Sequence, residues 1–225
     1  QLVRLGLRGA AARARQALGR AGRLAFGLWA WAVGAAIAAI GWIAMLLVPG
    51  TARRRRVGRM LARAGLGSAG VGLALEGEAN LPAGPHVLVC NHASYLDAIV
   101  LTALLPPRYA FVAKSELREH WLTAKPLRSM ETQFVDRFDT ARSIEDTRAL
   151  TARLRAGESL IFFPEGTFGG SEALLPLRMG AFVLAAQADV PLVPAVLTGT
   201  RQLLPAGAAL PRPATVRLRI GAPLR

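Results

Sequence analysis

The chain divides into two parts by the pattern of its apolar and polar positions. Residues 24–48 contain no charged side chain, whereas short apolar runs alternate with helical stretches from about residue 70 onward. A helix over residues 24–48 is about 37 Å long, enough to cross the hydrocarbon core of a bilayer. We therefore predict an N-terminal membrane-anchoring segment, residues 1–68, followed by a folded domain, residues 69–225.

The second part has the pattern of an α/β domain. Several of its apolar runs are nearly continuous, as expected for strands that helices cover on both faces. The alternation predicts a mixed, mostly parallel sheet of about seven strands flanked by helices. The predicted strands cover residues 71–76, 86–90, 109–113, 132–135, 159–163, 192–197 and 215–220, and the predicted helices residues 94–104, 140–155 and 176–188.

The positive charge is concentrated in the first part. The formal net charge is +14, yet every acidic residue lies at or after Glu76. A nucleic-acid-binding protein usually spreads its basic residues over a folded recognition surface. Arginines that flank an apolar segment instead favour the anionic headgroups of a membrane. We expect membrane lipids as partners, and no nucleic acid.

The orientation of the apolar segment stays open, because arginines flank it equally on both sides and give no positive-inside bias. One solution is a re-entrant or interfacial segment that bends near Gly34 or Gly41 and keeps both ends cytoplasmic. The arginine run 53–56 is either a solvated helix face or an anchor to anionic lipid, and the neighbouring apolar segment favours the anchor.

The cysteine and histidine content of the chain argues against a disulfide and against a metal site. The single cysteine, Cys90, excludes an internal disulfide and is expected to be a small buried hydrophobe. The three histidines form no zinc-binding pattern with it. We expect His86 and His120 to be structural or surface residues, and we expect no metal site.

The most informative segment runs from Asn91 to Asp97, after the strand predicted to end at Cys90. Polar residues that follow a strand and enter a helix occupy the usual site position in open α/β sheets. His92 and Asp97 could meet across such a turn. The carboxylate would then hold one imidazole nitrogen protonated and leave the other as a base. Alone, the pair also occurs by chance.

Three further blocks follow in order. In residues 162–167, Glu165 has two interpretations. It is either buried, which is costly unless it is paired or hydrogen-bonded, or an ordinary surface residue of a turn. In residues 134–137, Arg137 could bind a phosphate in bidentate fashion or pair locally with Asp136. Residues 190–195 carry two prolines that suggest shape rather than chemistry.

Together these four blocks resemble the bacterial 1-acylglycerol-3-phosphate acyltransferases of the glycerolipid acyltransferase family. That family has the blocks Asn-His-x-x-x-x-Asp, Phe-Ile-x-Arg-like, Phe-Pro-Glu-Gly-Thr and Val-Pro-Ile-Val-Pro-like. The resemblance covers about residues 75–222. It implies an inner-membrane enzyme with a cytoplasmic active site that moves an acyl group from acyl-CoA or acyl-carrier protein to a lysolipid hydroxyl, without a cofactor.

The resemblance also implies roles for single residues. His92 would act as the general base and Asp97 would orient it. Glu165 and Gly166 would belong to the acceptor site, and Arg137 would contact the acceptor phosphate. The remaining substrate-binding residues predicted are Asn91, Ser94, Thr167 and Lys114, the last as a donor that could steady a tetrahedral oxyanion.

One departure from the family pattern concerns the acceptor. Many members that use a phosphate-bearing acceptor have arginine after Glu-Gly-Thr, where this chain has Phe168. Either Arg137 or Arg178 compensates, or the acceptor is another lysophospholipid or a lyso-aminolipid. A non-catalytic membrane-anchored scaffold is a further alternative. A serine hydrolase is disfavoured, since the chain has no Gly-x-Ser-x-Gly elbow.

Overall fold

The computed structural model describes residues 2–119, 121–135, 140–169 and 173–224. Within them seven strands form one sheet in the order β1-β7-β6-β2-β5-β3-β4. All neighbouring strands are parallel except β6 and β7. The predicted mixed, mostly parallel sheet is confirmed. The strands are β1 Gly72–Glu76, β2 Val87–Cys90, β3 Tyr109–Lys114, β4 Gln133–Val135, β5 Ser159–Phe162, β6 Leu192–Thr198 and β7 Thr215–Ile220.

Helices cover both faces of this sheet. The predicted helices 140–155 and 176–188 correspond to α5 and α6, and the helix predicted over 94–104 starts later, at Asp97, because residues 91–96 form the turn that carries the site. The helices are α1 Leu2–Leu47, α2 Thr51–Ser68, α3 Asp97–Leu104, α4 Trp121–Ser129, α5 Thr140–Arg155, α6 Gly180–Ala188 and α7 Thr200–Leu203.

Two apolar layers hold the helices on the sheet. In one layer, Leu66 of α2 and Leu101 of α3 pack with Leu88 of β2. In the other, Leu154 of α5 and Leu184 of α6 pack against the opposite face. Fully burying one such leucine contributes about 1.5–3 kcal/mol. The period-two alternation of β2 is therefore lost, because its side chains are buried on both sides.

The N-terminal segment is a helical hairpin. The helix α1 runs through Gly34 and Gly41 without interruption, so the bend predicted at those glycines is wrong. The chain turns instead at residues 48–50, where Pro49 cannot donate a helical hydrogen bond and Gly50 has φ +80°. The helix α2 then returns along α1, and the Trp29 indole N–H donates to the Ser68 carbonyl over 3.0 Å.

Several arginines of α2 are directed at the protein rather than at solvent. Arg59 and Arg63 donate to carbonyl oxygens at the C-terminal end of α3, where free carbonyls and the helix dipole favour a cation. Arg54 donates to the Val48 carbonyl and Arg55 to that of Met130. Two arginines of the run 53–56 thus contact the fold. Arg53 and Arg56 have no such partner among the described residues, and the lipid contact expected of the run stays a prediction.

Ionic contacts also connect the start of α2 to the sheet domain. Arg55 is buried and lies 3.5 Å from Glu158, and Arg153 contacts both Glu131 and Glu158. The Thr51 hydroxyl donates to Glu131 over 2.7 Å. This hydrogen bond, with the two guanidinium groups, lowers the pKa of Glu131 below its usual value. The packing across residue 68 is therefore extensive, and the domain boundary there stays a prediction.

One helix among the described residues is long and apolar enough to cross a membrane, by length and composition alone. It covers Leu18–Leu47 with a mean hydropathy of 2.1 and is hardly buried inside the protein. Large apolar side chains are exposed along its length: Leu18, Leu24, Leu28, Trp29, Trp31, Ile40, Ile43, Leu46 and Leu47.

Candidate active site

Three neighbouring parallel strands bring the sequence blocks to one edge of the sheet. The strand β2 lies between β5 and β6, and all three point the same way. Their carboxyl ends therefore meet at one edge, the usual ligand position in open α/β sheets. His92 follows β2, Glu165 follows β5, and Thr200 and Arg201 follow β6.

His92 and Asp97 form the predicted pair. The imidazole Nδ1 lies 2.7 Å from Asp97 Oδ2. The same oxygen accepts the backbone N–H groups of Ala93 at 2.6 Å and Ser94 at 2.9 Å. Asp97 is fully buried at the start of α3. Because the carboxylate only accepts, Nδ1 carries the proton and Nε2 is left with its lone pair.

Two aromatic rings pack against the imidazole. The Phe163 ring stacks on it with the centroids 4.4 Å apart, and the Phe168 ring is tilted against it at 4.5 Å. Tyr95 meets Phe168 edge to face at 4.7 Å. The His92 side chain is 20% exposed. Among the described residues its Nε2 makes no hydrogen bond, so this nitrogen is available to a substrate.

Glu165 is buried and bridges two backbone segments. Its Oε1 accepts the N–H of His92 at 2.7 Å, and its Oε2 accepts the N–H of Leu175 at 2.9 Å. The turn that presents it closes through the bond from Gly166 N–H to the Phe163 carbonyl. With both oxygens engaged by main-chain donors, the geometry favours a positioning role over the acceptor contact implied by the resemblance.

Asn91 and Ser94 also act on the backbone. The Asn91 amide exchanges two hydrogen bonds with the main chain of Leu197, at 2.7 and 3.0 Å. The Ser94 hydroxyl donates to the Leu204 carbonyl at 2.9 Å. Each side chain thus fixes the His92 segment to the β6–α7 region. Substrate binding through these two residues stays a prediction.

The other predicted site residues lie around this centre. Lys114 ends β3 on the same edge and is exposed, but within the described residues it forms no hydrogen bond or ion pair with the His92 group. Thr167 is exposed beside the turn, and Gly166 takes φ +72° there. Arg137, with His120, lies outside the described residues.

Arg201 is a residue that sequence reasoning missed. Its guanidinium Nη1 donates to the carbonyl of Gly169 over 3.1 Å, directly after Phe168. No acidic partner occupies it among the described residues. The signal available in the sequence was its position just after the fourth block, at the carboxyl end of a predicted strand. Arg178, the alternative to Arg137 as the residue that compensates for Phe168, has an exposed side chain. Within the described part of the chain it contacts the site through its backbone N–H, which donates to the Pro164 carbonyl.

A second buried polar group lies at the opposite end of the sheet. His86 contacts the Tyr109 hydroxyl through Nε2 at 2.7 Å and the Gly84 carbonyl through Nδ1 at 2.8 Å. Burial lowers the pKa of His86 and raises that of Tyr109. Burial also raises the pKa of the Cys90 thiol. His86 and Cys90 are both buried, which fits the structural roles predicted for them.

Comparison with known proteins agrees with this geometry. Residues 72–198 match the model of the family described as Acyltransferase. A 1-acyl-sn-glycerol-3-phosphate acyltransferase of Limnanthes alba is 30% identical over 84% of this chain and 69% of its own length. One from Cocos nucifera is 31% identical over 62% of this chain, which spans 46% of that relative.

The fold has a solved counterpart. The 1-acyl-sn-glycerophosphate acyltransferase PlsC from Thermotoga maritima superposes with a TM-score of 0.74 over 91% of this chain and 86% of its own, at 22% identity. At that identity the superposition establishes the fold alone. The family match covers more than half of the chain, including the Asn91–Asp97 and 162–167 blocks, and the chain therefore belongs to the acyltransferase family.

Proposed function

We propose that this protein transfers a fatty acyl group from a thioester, acyl-CoA or acyl-carrier protein, to the free hydroxyl of lysophosphatidate or a related lysolipid. The observation that carries the proposal is the 2.7 Å contact between His92 Nδ1 and Asp97, which leaves Nε2 as a base. The names of the relatives, which act on 1-acyl-sn-glycerol-3-phosphate, support this substrate class.

The reaction needs one base and no covalent acyl-enzyme. Nε2 of His92 takes the proton of the acceptor hydroxyl while its oxygen bonds to the thioester carbonyl carbon. The tetrahedral intermediate then expels the thiolate as the C–S bond breaks, and the imidazolium returns the proton to that sulfur. Asp97 stabilises the imidazolium between these two steps and keeps its ring in place.

Phe168 occupies the position where the resemblance leads one to expect an arginine that contacts the acceptor phosphate. An aromatic ring cannot pair with a phosphate, and this ring packs on His92 instead. We assign the phosphate contact to Arg201, whose guanidinium is held beside Phe168 by one bond to Gly169 and retains further donors. A lyso-aminolipid, or a lysophospholipid with a larger headgroup, is the second candidate, since Phe168 and Tyr95 present apolar faces there.

We further propose that the α1–α2 hairpin sits in the cytoplasmic leaflet of a membrane, with both of its ends on the cytoplasmic side. The exposed apolar face of α1 supports burial in lipid, and the turn at residues 48–50 supports a return to the same side. Single cysteines at positions 10 and 60 test this arrangement. Labelling of the two from opposite sides of sealed vesicles would contradict it.

Acyl transfer from labelled acyl-CoA or acyl-carrier protein to a panel of lysolipids tests the activity directly. We expect product with at least one lysolipid, and loss of product in His92→Ala. The melting temperature of His92→Ala is measured in parallel, so that loss of the base is distinguished from loss of the fold. Equal turnover in His92→Ala and the unaltered protein would end the proposed mechanism, and no product with any acceptor would favour a non-catalytic scaffold.

A further inference from the structure

A groove forms where α1 crosses the loop that follows α7. Its volume is about 720 Å³, and its lining includes Arg20, Arg23, Leu24, Leu210, Pro211 and Arg212. The helix and the loop approach each other closely, because a Cβ on Gly27 would lie 2.9 Å from the Leu210 Cβ. The Trp31 indole N–H donates to the Ala209 carbonyl over 2.7 Å and holds the loop on the helix.

The charge of this groove is wholly positive. Arg20 and Arg23 lie on the α1 side and Arg212 on the loop side. All three side chains are exposed, and no salt bridge or side-chain hydrogen bond occupies them within the described residues. No acidic side chain lines the groove. Three guanidinium groups around one depression therefore suit a phosphate, which they can bind in bidentate fashion.

The rest of the groove is apolar and continues along α1. Leu24 lies one turn after Arg20 on the same helix face, and Leu210 and Pro211 form the facing wall. Residues 24–47 of α1 carry no charge, and Leu28, one turn further, is 57% exposed. A ligand that is anionic at the arginines and apolar along the helix fits both ends of this path.

We propose that the groove binds one anionic membrane phospholipid, with its phosphate between Arg20, Arg23 and Arg212 and an acyl chain along Leu24 and Leu28. A free phosphate would leave the apolar wall unused, and an acidic peptide would not continue into the uncharged face of α1. The groove is separate from the centre at His92. The two are connected by the loop, because Arg212 N–H donates to the Leu203 carbonyl and Ser94 donates to that of Leu204.

The bound lipid would fix the height of the active site above the membrane. The loop 204–212 is joined at one end to the His92 segment and at the other to α1. A phospholipid held between loop and helix therefore sets the distance from the headgroup layer to His92. This consequence depends on the proposed acyl transfer, whereas the binding itself does not.

Quenching of tryptophan fluorescence tests the binding, because Trp31 lies beside the groove. The protein in detergent micelles is titrated with brominated phosphatidylglycerol or brominated phosphatidylcholine. We expect saturation at a lower mole fraction with the anionic lipid. In Arg20→Gln/Arg23→Gln the anionic lipid should be needed at roughly tenfold higher mole fraction, since each arginine near a membrane surface strengthens anionic-lipid binding severalfold.

The matched control is Arg148→Gln/Arg155→Gln, which removes the same charge from α5 on another surface. We expect this control to bind the anionic lipid as the unaltered protein does. We expect Arg212→Gln, on the loop side of the groove, to bind it more weakly. Equal loss in both double variants would mean diffuse attraction and would overturn the site, as would no loss in Arg20→Gln/Arg23→Gln. Full displacement of the lipid by millimolar glycerol phosphate would overturn a phospholipid as the occupant.

The inactive variant His92→Ala separates this inference from the proposed function. We expect it to bind phosphatidylglycerol as the unaltered protein does. If acyl transfer proves absent, the binding experiment still shows whether the groove binds an anionic phospholipid. Loss of lipid binding in His92→Ala, with its fold intact by circular dichroism, would mean that the quenching reports the catalytic centre and would overturn a separate site.

Discussion

The carboxylate of Glu165 accepts the backbone N–H of His92 over 2.7 Å and, through its other oxygen, that of Leu175. One buried side chain thus fixes the main chain on which the proposed base is mounted. Hydrogen bonds to a charged acceptor contribute about 1.5–3 kcal/mol each. We therefore propose a positioning role for Glu165, whereas the resemblance implied contact with the acceptor.

The substitution Glu165→Gln separates these two roles. An amide can accept only one of the two backbone donors and turns its own N–H₂ group towards the other. We therefore expect a lower melting temperature and a lower kcat, with the KM for the acceptor nearly unchanged. Glu78→Gln, at an exposed glutamate, is the control. A higher acceptor KM at normal kcat and stability would instead assign Glu165 to the acceptor.

The substitution Asp97→Asn tests the orientation of His92. Asparagine keeps the size of the side chain but can turn an N–H₂ group towards Nδ1, which favours the wrong tautomer. We expect a fall in kcat of roughly 10²- to 10⁴-fold, the usual contribution of general acid–base catalysis. Asp189→Asn, at an exposed aspartate, should leave turnover unchanged. Normal turnover in Asp97→Asn would show that Asp97 does not orient the base.

The substitution Arg201→Gln tests the phosphate contact. Losing a charge-assisted bond should raise the KM for lysophosphatidate roughly tenfold or more. The KM for an acceptor without phosphate, such as a monoacylglycerol, should not change. Arg178→Gln is the comparison, because that arginine was, beside Arg137, a candidate from the sequence and its side chain is exposed. A raised KM in Arg178→Gln alone would reverse the assignment.

The substitution Phe168→Arg introduces the arginine that the resemblance to the acyltransferase family leads one to expect after Glu-Gly-Thr. If headgroup charge limits this protein, the KM for lysophosphatidate should fall. Phe168→Leu controls for the loss of the ring that packs on His92, and we expect it to lower kcat without improving the acceptor KM. An unchanged KM in Phe168→Arg would point to an acceptor other than lysophosphatidate.

The buried His86 should make stability depend on pH. Burial lowers its pKa in the folded state, so unfolded chains bind more protons. The contribution of the neutral ring is fully present above the unfolded pKa of about 6.5 and is lost as pH falls towards the lowered folded value. We expect His86→Gln to be less stable at pH 7 and to lose less stability between pH 7 and pH 5. An equal fall in melting temperature between pH 7 and pH 5 in His86→Gln and in the unaltered protein would contradict this expectation.

The sequence alone determined the apolar helix, the seven strands and the chemistry of the first block, but it did not predict α4 or α7. Uncharged residues 24–48 require an apolar helix, and nearly continuous apolar runs such as 87–90 require buried strands. The pair His92 and Asp97 could be predicted because both lie within one short turn. Such features depend on spacing along the chain, which the sequence gives directly.

The tertiary structure decided the contacts between distant segments. Glu165 reaches the His92 backbone and Arg201 reaches Gly169 only because β5, β2 and β6 are neighbours in the sheet. The same holds for Arg59 and Arg63, which contact α3 instead of lipid. Apolar periodicity specifies which face of an element is buried, but not which element packs on it. These pairings depend on strand order and helix packing, which no local pattern encodes.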